Sequence, residues 1–211
     1  MSSTASPTLA YRRAAAGRRG SIDAVAIGAS AGGVQALLRL LSGFRADYRL
    51  PIIVVLHLPE DRDSQLARLF QTRTAMAVRE AAAQAPINPG TLYFAGPNYH
   101  LSVEQDRTFS ISCEAPVHGS RPAIDVLMSS AADAYGPGLA GILLTGASDD
   151  GAAGLTRIAR CGGLTVVQEP GDAEVATMPE AALRQHQPDH ILKLDAIHAL
   201  LFEFDRPQEA R

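Results

Sequence analysis

Three residue types with complementary chemistry stand at the same kind of place in this sequence, the end of a short apolar run. Ser30 follows Ala24 to Ala29, His57 follows Pro51 to Leu56, and Asp149-Asp150 comes just after the run Leu139 to Thr145. A serine hydroxyl is a poor nucleophile until an imidazole accepts its proton, and a carboxylate behind that ring fixes the tautomer and stabilises the imidazolium. Each role has a candidate here, and the carboxylate role has two. Ser30 lies in Gly28-Ala29-Ser30-Ala31-Gly32, a G-x-S-x-G pattern whose small residues permit a sharp strand-to-helix turn that lifts the hydroxyl out of a sheet. Amides at the start of the following helix would then hold an oxyanion.

Blander roles compete at each position. The glycine-rich segment also suits a close-packed turn or a phosphate cradle, but Gly28 to Gly33 lacks the central glycine of G-x-G-x-x-G. No P-loop lysine follows either, since Lys193 is the chain's one lysine. His57 would otherwise close a strand, and Asp149 or Asp150 would cap the helix after them. Spacing alone does not choose between the two aspartates. The order Ser, His, Asp also differs from the Ser, Asp, His order of α/β-hydrolases. His100, His118, His186, His190 and His198 read as ordinary surface or structural residues, and none pairs at metal-ligand spacing, so no metal and no cofactor are expected.

The elements that must position these residues alternate between strand and helix. Strands are expected over Ala24 to Ala29, Pro51 to Leu56, Met76 to Glu80, Thr91 to Ala95, Leu139 to Thr145, Leu164 to Gln168 and His190 to Leu194. Helices are expected over Val34 to Leu41, Ser64 to Arg73, Ala123 to Ala134, Gly151 to Cys161, Pro179 to Gln185 and Ala196 to Phe204. Between them, Tyr99 to Val103 and Thr108 to Ser112 alternate with period two across Glu104-Gln105-Asp106-Arg107, an inserted antiparallel hairpin. The fold class is therefore α/β: a doubly wound, mostly parallel sheet with helices on both faces. The carboxyl ends of parallel strands share one edge, where such proteins build their sites.

The 211 residues suit one domain, expected over 21–205, with a basic tail over 1–20 and a short C-terminal tail over 206–211. Four of the 19 basic residues, Arg12, Arg13, Arg18 and Arg19, lie in that first tail with no acid, so the body is mildly acidic. That balance argues against a general nucleic-acid binder. Cys113 and Cys161 stand far apart outside any C-x-x-C spacing, and no apolar run approaches the ~18–20 residues that span a bilayer. A cytoplasmic protein without membrane insertion is the simplest expectation, and the Arg12-Arg13 pair lacks the apolar segment of an export signal.

Several segments together resemble the catalytic domain of the chemotaxis protein-glutamate methylesterases (CheB type). They are Ala26-Ile27-Gly28-Ala29-Ser30-Ala31-Gly32-Gly33, Val55-Leu56-His57-Leu58-Pro59, Gly96-Pro97-Asn98-Tyr99-His100-Leu101, Arg121-Pro122-Ala123-Ile124-Asp125-Val126-Leu127 and Leu143 to Gly154, with a weaker Met178-Pro179-Glu180-Ala181-Ala182. The resemblance implies a serine hydrolase that removes methyl groups from glutamate γ-methyl esters on chemoreceptor cytoplasmic helices and releases methanol, with glutamine deamidation as a side activity. It puts the nucleophile on Ser30, the base on His57 and the triad aspartate on Asp150, leaving Asp149 as a cap or bystander. It also places oxyanion amides near Ser30 and His57, and Ala147 in a turn bordering the site. Ala31 departs from the threonine common in the family after the nucleophile. The best-known members also carry an N-terminal receiver domain, which a 20-residue tail is too short to form, so control by phosphorylation in cis is not expected. Two other functions share these residues: a non-catalytic receptor-binding module, and a carboxylesterase for a different ester.

Overall fold

A computed structural model describes residues 21–57 and 65–205. The expected tails over 1–20 and 206–211 lie outside the described residues. Seven parallel strands form one sheet in the order β3-β4-β2-β1-β7-β8-β9: β1 (Ala24–Ala29), β2 (Ile52–Leu56), β3 (Ala77–Glu80), β4 (Thr91–Phe94), β7 (Leu139–Leu143), β8 (Leu164–Gln168) and β9 (His190–Leu192). The hairpin β5 (His100–Val103) and β6 (Phe109–Ser112) forms a separate antiparallel pair. The central strands are apolar on both faces because helices cover both, and every residue of β1, β2 and β7 is buried.

Six helices connect the strands: α1 (Gly33–Leu40), α2 (Leu66–Gln71), α3 (Ile124–Tyr135), α4 (Ala152–Arg160), α5 (Thr177–Gln185) and α6 (Leu194–Phe204). Helices α1, α2 and α6 pack on one face with Val25, Ile27, Ile52 and Ile142; α3, α4, α5 and the hairpin pack on the other with Ala24, Ala26, Ile53 and Leu143. The expected elements are present with ends shifted by a few residues. The second helix is shorter than Ser64 to Arg73, and the strand expected to reach Thr145 stops at Leu143. Among the described residues no helix is long and apolar enough to cross a membrane.

After β1 the chain runs outward to β2 on one side, and later returns to place β7 on the other. The strand order therefore reverses at β1, and in open α/β sheets such a reversal opens a crevice at the carboxyl edge. Register puts the candidate residues there. Ala29 pairs with Leu56, so Ser30 and His57 are the next step on adjacent strands, which run ~4.8 Å apart. By the alternation of side chains, Ser30 and His57 continue the rows of Gly28 and Val55, on the face covered by α3 and α4.

Candidate active site

The turn after β1 is held by short backbone bonds. The Ser30 amide donates to Thr145 O at 3.0 Å, and the Gly33 amide donates to Ser30 O at 2.8 Å. Gly32 adopts φ 76° at the N-terminus of α1, and a Cβ there would lie 2.8 Å from the Glu174 side chain, so both backbone and space demand glycine. Ser30 is half-buried, and its Cβ lies 3.0 Å from where a side chain on Gly146 would begin. Among the described residues no acceptor takes the amides of Ala31 or Gly32, leaving two donors beside the serine at a helix N-terminus. Thr145 closes the rim: its hydroxyl donates to Ala31 O at 2.9 Å and accepts the Val175 amide at 2.9 Å.

His57 is fixed from both ends. Its amide donates to Ala29 O at 3.1 Å, and its ring Nε2 lies 2.8 Å from Asp150 Oδ2. The Asp150 side chain is fully buried and the His57 side chain 12% exposed. A carboxylate only accepts, so Nε2 carries a proton in this contact, and in the neutral ring Nδ1 keeps the lone pair. Nδ1 faces the Ser120 hydroxyl at 3.4 Å. Among the described residues no hydrogen bond joins the Ser30 hydroxyl to the ring; the two meet only through adjacent register.

What holds Asp150 is not visible from its own segment. Its Oδ2 also accepts the Ile124 amide at 2.7 Å, and its Oδ1 accepts the Asp125 amide at 2.9 Å, both from the first turn of α3. Asp125 reciprocates: its Oδ1 accepts the Gly154 amide of α4 at 2.6 Å. Neither helix has a side-chain cap of its own, because each borrows one from the segment that begins the other. The exchange satisfies orphan helix donors and places two helix dipoles on the carboxylates. Of the two roles expected for Asp149, cap or bystander, the capping role is not taken. That side chain is 60% exposed and does not cap α4, its Oδ1 lying instead 3.2 Å from His118 Nδ1.

These features point to one family. A sequence model of CheB methylesterase matches residues 25–201. The chain belongs to the CheB methylesterase family. A Leptospira interrogans relative of this family is 40% identical over 184 residues, covering 87% of this chain and 95% of that one. The Hahella chejuensis protein-glutamate methylesterase/protein-glutamine glutaminase 1 is 37% identical over 179 residues, and there the chain spans about half the relative, 49%, from 83% of its own length. The crystal structure of the Thermotoga maritima CheB methylesterase catalytic domain superposes with TM-score 0.82 at 26% identity, covering 87% of this chain and 99% of that one.

Within this CheB fold, Ser120 and Asp125 near the site have no role assigned from sequence, while His100 and His118 read from sequence as ordinary surface or structural residues. The start of α3, Ala-Ile-Asp with no serine, threonine or asparagine to cap it, calls for an outside acceptor, which is Asp150; nothing comparable points to Asp125 as the cap of α4. His100 is buried; its Nδ1 accepts the Ala123 amide at 3.2 Å and its Nε2 donates to Ala115 O at 3.1 Å, so it orients the start of α3. The donor atoms of His118, Asp125 and Asp150 come within 4.8 Å of one another, a geometry that could hold a cation. Both Asp150 oxygens are committed to three N–H donors, however, so the group reads as a hydrogen-bonded network.

Proposed function

We propose that this chain hydrolyses glutamate γ-methyl esters on the cytoplasmic helices of chemoreceptors, with Ser30 as nucleophile, His57 as base and Asp150 as the carboxylate behind it. The observation that carries the proposal is the His57–Asp150 pair at 2.8 Å, its carboxylate fully buried and its histidine one register step past the strand that pairs with the one leading to Ser30. In the first half-reaction His57 Nδ1 takes the Ser30 proton as Oγ attacks the ester carbonyl. The tetrahedral oxyanion faces the amides of Ala31 and Gly32. Collapse expels methanol, protonated by the imidazolium, and leaves an acyl-enzyme. Water, deprotonated by the same nitrogen, then attacks the acyl carbon; as the second tetrahedral intermediate collapses, the imidazolium returns that proton to Ser30 Oγ and the glutamate carboxylate is freed. The same acyl-enzyme forms from glutamine with loss of ammonia.

Nδ1 is the nitrogen left free to act, and catalytic hydrogen bonds tighten when substrate binds. A substrate that displaces the Ser120 hydroxyl from Nδ1 would let Ser30 reach it. The test is methanol release from methylated receptor. Ser30→Ala is expected to lower it by about 10³-fold or more with the fold intact by circular dichroism. Undiminished release by that variant overturns the mechanism. A non-catalytic binding module would also stay unlabelled by a fluorophosphonate, whereas Ser30 is expected to be labelled.

A further inference from the structure

Beside the site stands a second histidine held between carboxylates. Val117 and Ser120 exchange backbone hydrogen bonds across a two-residue turn, in which His118 has φ 50° and Gly119 φ 74°. That turn presents the ring of His118 to two acids, with Nε2 3.2 Å from Asp125 Oδ2 and Nδ1 3.2 Å from Asp149 Oδ1. A neutral imidazole offers one N–H and one lone pair, and a carboxylate only accepts. Two carboxylates this close to one ring repel each other unless a proton is shared among the three groups, carried by the ring as a second N–H or by a carboxyl. Asp125 is suited to share it. Burial pushes its carboxyl up, the Gly154 amide opposes this, and the charge of Asp150 adds to the rise.

Asp125 also touches the machinery of the reaction. Its backbone amide holds Asp150 Oδ1 at 2.9 Å, while its carboxylate holds the start of α4, which directly follows Asp150. We propose that His118, Asp125 and Asp149 form a proton-sharing brace that positions the His57–Asp150 pair and sets the electrostatic field at the base, with His118 and Asp125 as positioning residues. The proposal rests on His57 serving as the base.

The sign of the effect follows from the groups around the ring. His57 is contacted by Asp150 and by the uncharged Ser120 hydroxyl; Asp125 of α3 lies behind Asp150, with His118 and Asp149 from the two flanking loops. Removing the Asp125 charge weakens the hold of His57 on a proton. Removing His118 leaves Asp125 and Asp149 uncompensated and strengthens it.

Two conservative variants separate this from simple loosening. Asp125→Asn keeps an oxygen for the Gly154 amide. His118→Asn accepts left-handed backbone and, before glycine, suits this turn. NMR titration of the His57 ring in each full-length variant is expected to move its midpoint about half a pH unit down in Asp125→Asn and about half a unit up in His118→Asn. The acid limb of kcat/KM for ester hydrolysis should follow. Midpoints that stay at the wild-type value, or move the same way in both variants, overturn the proposal. The titration needs no turnover, so failure of the Ser30 mechanism shows separately, as activity surviving in Ser30→Ala.

Discussion

The two faces of the sheet are packed by different means, and the site lies on the tighter one. Toward α1, α2 and α6 the central strands present Val25, Ile27 and Ile142, and Phe44, Tyr48, Phe70, Phe94 and Phe204 fill the layer. Toward α3 and α4 the central strands present Ile53, Val55, Leu139 and Leu143, but also Ala24, Ala26, Gly28 and Gly141. A Cβ on Gly28 would lie 2.4 Å from Ile124, and one on Gly141 2.4 Å from Ile158. One face is filled by large side chains that sum to a generic core. On the other, Gly28, Gly141, Gly151 and Gly154 leave no room for a Cβ, and two helix starts reach each other there and exchange caps. Packing by large side chains tolerates local repacking, whereas packing by close backbone approach transmits any added atom to what the backbone holds.

The largest expected effect is at the exchange itself. Asp150→Asn replaces an acceptor of three N–H groups by a group that also donates, which unsettles the His57 tautomer and the start of α3 together. Ester hydrolysis is expected to fall by about 10³–10⁴-fold, with about 1–3 kcal/mol of stability lost. Rate assays beside urea unfolding check both. If stability falls while hydrolysis stays within tenfold, the pair is a cap and not a catalytic device.

A matched pair of substitutions then sets face against face. Leu200→Ala, in α6, deletes a buried side chain from the large-residue layer and is expected to cost about 2–5 kcal/mol. The protein that remains folded should keep its kcat/KM within about twofold, because nothing in the site is moved. Gly154→Ala adds a single methyl, placed 2.6 Å from Met128 Cβ and 3.1 Å from the backbone of Asp125. It is expected to cost less stability, about 1–3 kcal/mol, but to lower kcat/KM by about 10–100-fold by displacing Asp125 and with it Asp150. Urea midpoints and kcat/KM on the two variants decide the matter, and equal activity losses would erase the contrast between the faces.

This contrast also explains what was legible in the sequence. The parallel sheet was readable because Ala24 to Ala29 and Leu139 to Leu144 are apolar runs too short for helices, set between helical periods. The placing of Ser30 and His57 at neighbouring strand ends was readable because each directly ends such a run, and parallel register carries adjacent strand ends to one edge. Asp150 was distinguished from Asp149 by family resemblance, not by spacing, since one step along a loop is invisible to periodicity. The cap exchange was not readable, because it joins residues 25 and 29 positions apart in sequence through backbone amides that no side-chain pattern encodes. The contacts of His118 and Ser120 were not readable for the same reason. A Val-His-Gly-Ser segment signals a turn, but which carboxylates the turn will face depends on where α3 and α4 have already docked.

The smallest effect concerns the caps themselves and tests whether the faces differ electrostatically. On the large-residue face α6 is capped by Asp172, whose Oδ2 accepts the Leu194 amide at 2.9 Å and the Gln168 side-chain amide at 2.9 Å. Burial pushes the Asp172 carboxyl up, but those two donors together with the charges of Arg39 and Lys193 outweigh it and hold the carboxyl below its ordinary value. On the site face Asp125 also caps a helix, yet burial and the neighbouring Asp150 leave it above its ordinary value. The two linkages therefore have opposite signs. The depressed group stabilises the fold above the ordinary carboxyl value, and that contribution is lost as pH falls through its folded value. The raised group favours the fold most below the ordinary carboxyl value, and that contribution is lost as pH rises through its folded value. Urea midpoints measured from pH 3 to 8 should show the stability gap between wild type and Asp172→Asn widening as pH rises across the acid range. Over the same range the advantage of wild type over Asp125→Asn should shrink. Gaps that change in the same direction would show that both carboxylates are ordinary solvated caps, with no electrostatic difference between the faces beyond their packing.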